Sequence, residues 1–179
     1  DQSERLALIV RNLLRFARRS ATNAYSQVKV NEIIAQTLDL VERQMVTDNI
    51  EIVFDRTTDL PKILGNPGEL QQVFLNMMLN AYQAMKQSGG RLEIVSHANK
   101  ENVEVIFSDN GPGIPKEQLT HIFEPFYTTK AEGEGSGLGL SVSYGIVQAH
   151  GGRIDVESEV GSGTSFILTL PVAKAAKAA

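Results

Sequence analysis

The sequence predicts an α/β (α+β) fold, with helices on one face of a mixed β-sheet and an N-terminal helix ahead of it. Three observations carry that prediction. Segments of helical and strand period interleave along the chain. Several neighbouring strand segments are nevertheless joined by short connections, "NKEN" and "VGSG", which make hairpins rather than the crossovers of a doubly wound parallel sheet. Finally, 179 residues at 42% hydrophobic suffice for one sizeable core, or one domain with an appendage.

The elements follow in order. "SERLALIVRNLLRFARRS" reads as a helix over residues 1–20, capped by Ser3, with Leu6, Ile9 or Val10, Leu13 and Phe16 or Ala17 at helical spacing. Arg15, Arg18 and Arg19 complement its dipole. Two readings stand for this helix: a cap on the following domain, or one arm of a bundle completed by a second chain. The arginines and the polar linker at 21–27 favour a separate element. The main domain is expected over 28–171. It opens with the helix "NEIIAQTLDLVERQM" and the alternating strand "NIEIVFDR". "NPGELQQVFLNMMLNAYQAMKQSGG" is a long helix, started by Asn66 and Pro67 and stopped by Gly89-Gly90. The strands "RLEIVSHA" and "NVEVIFSD" pair around "NKEN". A glycine-rich segment then leads into the helix "LGLSVSYGIVQAH", and "GRIDVESE" and "TSFILTLP" close the domain. The tail, 172–179, lacks an apolar face and is expected to be disordered.

The bulk composition excludes several classes. A formal charge of -4 gives no basic field for nucleic acid. Without cysteine there are no disulfides or thiolate metal sites, which suits a reducing, cytoplasmic compartment. No apolar run approaches the roughly 18 residues of a membrane span, and no signal-peptide pattern opens the chain. The first residue, Asp1, reads as the start of a piece of a longer protein.

Candidate chemistry begins on the long helix. At about 100° per residue, Leu70, Val73, Phe74, Met77, Ala81, Ala84 and Met85 form an apolar stripe. Glu69, Asn76 and Asn80 run along its edge. Two exposed polar residues would be one account of the asparagines. The other is a row of oxygen ligands, which a hard cation such as Mg2+ takes together with phosphate oxygens and water. The loop "GEGSGLGL" precedes a helix N-terminus, whose free N–H groups suit phosphate. Its spacing matches neither the Rossmann nor the Walker pattern. In "SDNGPGIP", Asp109 ends a covered strand, where its carboxylate can accept from an exocyclic amine such as that of adenine. The bare backbone at Gly111 and Gly113 lets a flat ring approach. "GSGT", ending at Thr164, adds a hydroxyl near the same ring.

This ordered set resembles the catalytic ATP-binding domain of sensor histidine kinases, within the gyrase–chaperone–histidine kinase–mismatch-repair ATPase superfamily. "NMMLNA" is similar to the asparagine box, "DNGPGI" to the first glycine box and "IFEPFYTTK" to the phenylalanine box. "GSGLGL" and "GSGTSF" are similar to the later glycine boxes. The resemblance covers roughly Val28 to Pro171 and implies a two-layer sandwich of helices on a mixed sheet. It implies ATP and Mg2+ as ligands, with the metal on Asn80, Asn76 assisting at the phosphates and Asp109 reading adenine. Gly111, Gly113, Ile114 and Thr164 would line the base pocket. Phe123, Lys130, Gly135, Ser136, Gly137, Leu138, Gly139 and Leu140 would surround the phosphates, and Phe123 to Gly137 would form a mobile lid. Asn76, Asn80 and Lys130 would carry the transfer.

The same resemblance makes residues 1–20 the end of the second helix of a kinase dimerisation hairpin. The histidine-bearing first helix then lies elsewhere. The implied partners are ATP or ADP, that histidine-bearing dimerisation domain and a response regulator, within a homodimeric parent of a two-component phosphorelay. The histidines present, His97, His121 and His150, read as structural or surface residues. Many relatives carry a lysine three residues after the second asparagine, where this chain has Gln83; Lys130 is the candidate for that contact. The rival readings are an ATP hydrolase or a serine kinase of the same fold, and a module that holds nucleotide only structurally. The first two need or tend to keep a glutamate one helical turn before the metal asparagine. Here that position is Asn76, which cannot take a proton.

Overall fold

The computed structural model describes residues 25–129 and 136–173. The opening helix, the linker as far as residue 24, Lys130, Gly135 and the tail from residue 174 lie outside the described residues.

Within them, strand β1 (Ser26–Val28) leads into helix α1 (Val30–Thr47) and strand β2 (Ile50–Arg56). Strand β3 (Ile63–Gly65) then feeds the long helix α2 (Pro67–Met85). Strands β4 (Gly90–Ala98) and β5 (Asn102–Asp109) form the central hairpin, followed by the short helix α3 (Lys116–Leu119). Helix α4 (Gly139–Ala149) and strands β6 (Arg153–Glu159) and β7 (Gly163–Pro171) complete the domain. The main sheet has the order β2-β4-β5-β7-β6, parallel between β2 and β4 and antiparallel elsewhere. It is the mixed sheet that the short connections predict. Ser26 and Gln27, expected to end the linker, instead pair with β3 in a separate two-stranded sheet.

Alternation explains which face carries the helices. Val103, Val105 and Phe107 of β5 are buried, as are Phe166, Leu168 and Leu170 of β7. Helix α2 lies against that face with Leu70, Val73, Phe74, Met77, Met78, Ala81 and Met85 inward, and the Phe74 and Phe107 rings meet at 5.8 Å. Each large side chain so buried contributes about 1.5–3 kcal/mol. Ala84 departs from the expected stripe: it is exposed, at the helix edge, and Met78 takes an inward place. The start of α2 is set locally. Asn66 Oδ1 accepts from the Gly68 and Glu69 N–H groups at 2.9 and 3.3 Å, and Pro67 follows it.

His150 ties α4 to this start. Its ring is buried, accepts from the Asn66 N–H at Nε2 (3.0 Å) and donates from Nδ1 to the Ile146 carbonyl (2.8 Å). Tyr25 stacks on it at 4.9 Å. The other histidines face solvent beside carboxylates, His97 with Glu104 and His121 with Glu124.

Candidate functional site

The sheet register lines up Asp109 and Thr164, the two side chains expected at the base pocket. Leu92, Asp109, Thr164 and Ser158 are successive cross-strand partners on the helix-bearing face of β4, β5, β7 and β6. Asp109 is half-buried at the end of β5, and its Oδ1 accepts from the Gly111 N–H at 2.9 Å. Burial pushes its carboxyl above the ordinary range, opposed by hydrogen bonds from the backbone of Gly111 and Thr164. A carboxylate held by two backbone donors keeps lone pairs for a ligand amine.

The glycines beside it are required by close approach. A Cβ on Gly111 would stand 2.8 Å from Asp109 Oδ1 and 3.1 Å from the Ala84 Cβ. Gly113 has φ +74, and a Cβ there would overlap the Glu159 carbonyl. The first glycine segment is therefore pressed onto the β6–β7 hairpin, and two bonds hold it there. Gly161 N–H donates to the Pro112 carbonyl at 2.8 Å, and Ile114 N–H to Ser158 Oγ at 2.8 Å. On the other side, Asn110 Oδ1 accepts from the Arg91 N–H at 2.7 Å.

Asn76 of α2 faces the start of α4. Asn76 Nδ2 donates to the Gly139 carbonyl and to Ser143 Oγ, each at 3.0 Å. Both amide hydrogens are thus used, and the carbonyl oxygen of Asn76 is left to ligate. Asn80, one turn on, has a buried Nδ2 with no partner among the described residues. The two ends of an amide exchange by a flip, so Asn80 has a donor or an oxygen that no described residue uses. Glu69 is not brought there: it lies about 16 Å back along the helix, where its charge acts on Tyr25.

Oxygens from Asn76 and Asn80 suit Mg2+, which takes one or two protein ligands and completes its shell from phosphates and water. Among the described residues no cluster of three His, Cys, Asp or Glu side chains could hold a metal alone, so these asparagines would share it with a phosphate chain.

The phenylalanine and second glycine segments meet as well. Phe126 N–H donates to the Gly137 carbonyl at 3.0 Å, and a Cβ on Gly137 (φ +64) would overlap the Phe126 backbone. Phe126 itself has φ 68 and is 73% exposed, a strained conformation for a bulky residue. Phe123 packs its ring on Tyr144 at 5.5 Å, and Leu140 is half-buried against the core. Ser136 Oγ accepts from the Leu138 N–H at 3.3 Å.

A family model described as histidine kinase-, DNA gyrase B-, and HSP90-like ATPase matches residues 65–174. Sporulation kinase E of Bacillus subtilis (strain 168) is 37% identical over 96% of this chain and 23% of its own length. Sensor histidine kinase ZraS of Escherichia coli (strain K12) is 39% identical over 96% of this chain and 36% of its own. Among solved structures, the catalytic domain of histidine kinase ThkA superposes with a TM-score of 0.75 at 31% identity, covering 83% of this chain and 98% of that one. The chain belongs to the histidine kinase catalytic domains. It spans about a quarter to a third of the two curated relatives.

In this histidine kinase domain the structure brings Asp109, Gly111, Gly113, Ile114 and Thr164 together at one end of the sheet. Asn76 meets Gly139 between α2 and α4, Leu140 follows on α4, and the orphaned Asn80 amide lies one turn along α2 from Asn76. Sequence reasoning missed Ser158 and Ser143, which hold Ile114 and Asn76 by side-chain bonds, and the bond by which Asn110 ties the first glycine segment to Arg91. For Ser158 a signal existed: it continues the inward parity of Ile154 and Val156 yet is polar. No helix among the described residues is long and apolar enough to cross a membrane.

Proposed function

We propose that this domain binds ATP with Mg2+ and passes the γ-phosphate to a histidine on a dimerisation domain of the parent protein, residues 1–20 being the end of that domain's second helix. The observation that carries the choice among ATP-using relatives is Asn76. One helical turn before Asn80, where a hydrolase needs a carboxylate to take a proton from water, the chain has an amide whose hydrogens are held by Gly139 and Ser143.

The geometry supports a division of labour. Asp109 accepts from the adenine amine, and Gly111 and Gly113 leave room for the ring. Asn80 and the carbonyl oxygen of Asn76 would hold Mg2+, which when bound neutralises phosphate charge. Free N–H groups at the start of α4, with Lys130, complete the phosphate cradle. Phosphoryl transfer needs little else from a protein than such positioning and charge. The in-line nucleophile is then the imidazole of the partner domain. A response regulator is the onward acceptor; ThkA has been solved in complex with one.

The test is the chain alone with γ-labelled ATP and Mg2+. It should bind nucleotide, hydrolyse it very slowly and leave its own three histidines unlabelled. Asn80→Ala should abolish the Mg2+ dependence, whereas Asn80→Asp keeps an oxygen ligand. Steady hydrolysis that disappears in Asn80→Ala would make the hydrolase reading right and this one wrong.

A further inference from the structure

The hydrogen-bond chain behind Asp109 assigns a direction to a hydroxyl, and with it a role to a residue outside the sequence motifs. Ser158 Oγ makes three contacts: it accepts from the Ile114 N–H at 2.8 Å, donates to the Gly163 carbonyl at 2.8 Å and lies 3.0 Å from Thr164 Oγ1. A serine hydroxyl has one hydrogen and two lone pairs. With the hydrogen on Gly163 and one lone pair on Ile114, the Thr164 contact is possible in one sense only, Thr164 donating to Ser158. Thr164 is buried, so its hydroxyl has little water to turn towards. Its lone pairs are then uncommitted, and its register partner on β5 is Asp109.

We propose that Ser158 is a positioning residue for base selection: it fixes Thr164 as an acceptor, so that the base edge meets two acceptors, Thr164 and Asp109, directly or through one water. With both acceptors on the amine, whose two hydrogens can serve one each, the edge welcomes adenine and opposes the carbonyl oxygen of a 6-oxopurine. Without Ser158 the Thr164 hydroxyl rotates and donates, and the opposition weakens. The bond to Ile114 also locks the glycine segment onto the hairpin, so Ser158 sets both the position and the polarity of the pocket wall.

This inference rests on adenine nucleotide binding at Asp109 and is tested so that the two can fail separately. Dissociation constants for ADP and inosine diphosphate, which carries oxygen in place of the adenine amine, are measured by calorimetry on the whole chain. The variants are Ser158→Ala, Thr164→Val and the double variant, with thermal melts alongside. One neutral hydrogen bond corresponds to about a three- to tenfold effect. The IDP/ADP ratio of dissociation constants should fall by that factor in Ser158→Ala. It should not fall further when Ser158→Ala is added to Thr164→Val, because the two act through one hydroxyl. Ser158→Cys fills nearly the same space with a weak hydrogen-bonding group and should reproduce the fall, should the alanine variant be poorly folded.

An unchanged ratio overturns the proposal. So does equal weakening of both nucleotides, which a purely structural serine would give, or a shift that persists in the Thr164→Val background. Failure of the wild-type chain to bind ADP would overturn the function proposed above, and this inference with it.

Discussion

Asp109→Asn separates what the carboxylate does for binding from what it does for the fold. Burial raises the folded-state pKa of Asp109 above its ordinary 3.8 and outweighs the two backbone donors that lower it. The native state therefore holds that proton more tightly than the unfolded chain. Stability is lost as pH rises from the ordinary value through the folded one. Asparagine keeps an oxygen for the Gly111 N–H at 2.9 Å and carries no charge to desolvate. The empty variant should melt above wild type at pH 7, and the difference should shrink towards about pH 4 as the wild-type carboxyl takes up its proton. Binding should move the other way. A hydrogen bond from the adenine amine to a charged acceptor contributes about 1.5–3 kcal/mol, so ADP should bind about 10- to 150-fold more weakly. The amide can now donate to a 6-oxo group, and the preference for adenine should narrow. Calorimetry and melts over this pH range read all three effects. A variant that melts below wild type at pH 7, or keeps the full affinity and base preference, would refute the reasoning.

Gly113→Ala places a Cβ on the Glu159 carbonyl at φ +74 and should cost about 2 kcal/mol or more in urea unfolding. Asn66→Ala removes the cap of α2 and should cost about 1 kcal/mol by the same assay, with nucleotide affinity unchanged. Asn76→Ala removes two bonds between α2 and α4, for about 1–3 kcal/mol of stability, and should weaken ADP binding in Mg2+ more than in chelator. Asn80→Ala deletes a buried amide end that has no partner among the described residues, so the empty protein should melt no lower than wild type.

Long elements were legible because their periods are long enough to read. Helix α2 shows its start at Asn66-Pro67 and its inward stripe over about four turns, and β4 and β5 alternate cleanly around a hairpin turn. Strands β1 and β3 span three residues each, too few for a period, which is why Ser26 and Gln27 read as linker. Ala84 read as core because helical angle alone cannot distinguish a buried edge from one facing Gly111. At the site, Asp109, Asn80 and the glycines announced themselves by being costly where a plain core or turn would use other residues. Ser158 and Ser143 did not. Their importance comes from cross-strand register and helix–helix contact, which bring in residues 44 and 67 positions away in sequence.

In the proposed function this domain positions ATP for an external imidazole. The direct measurement is label transfer from γ-labelled ATP, with Mg2+, to the histidine-bearing dimerisation domain of the parent protein supplied in trans. Acid-labile, base-stable label should appear on that domain, absent with Asn80→Ala and reduced with Asp109→Asn at limiting ATP. A chain that binds ATP yet leaves the supplied histidine unlabelled, while releasing phosphate to water at a steady rate, would contradict it.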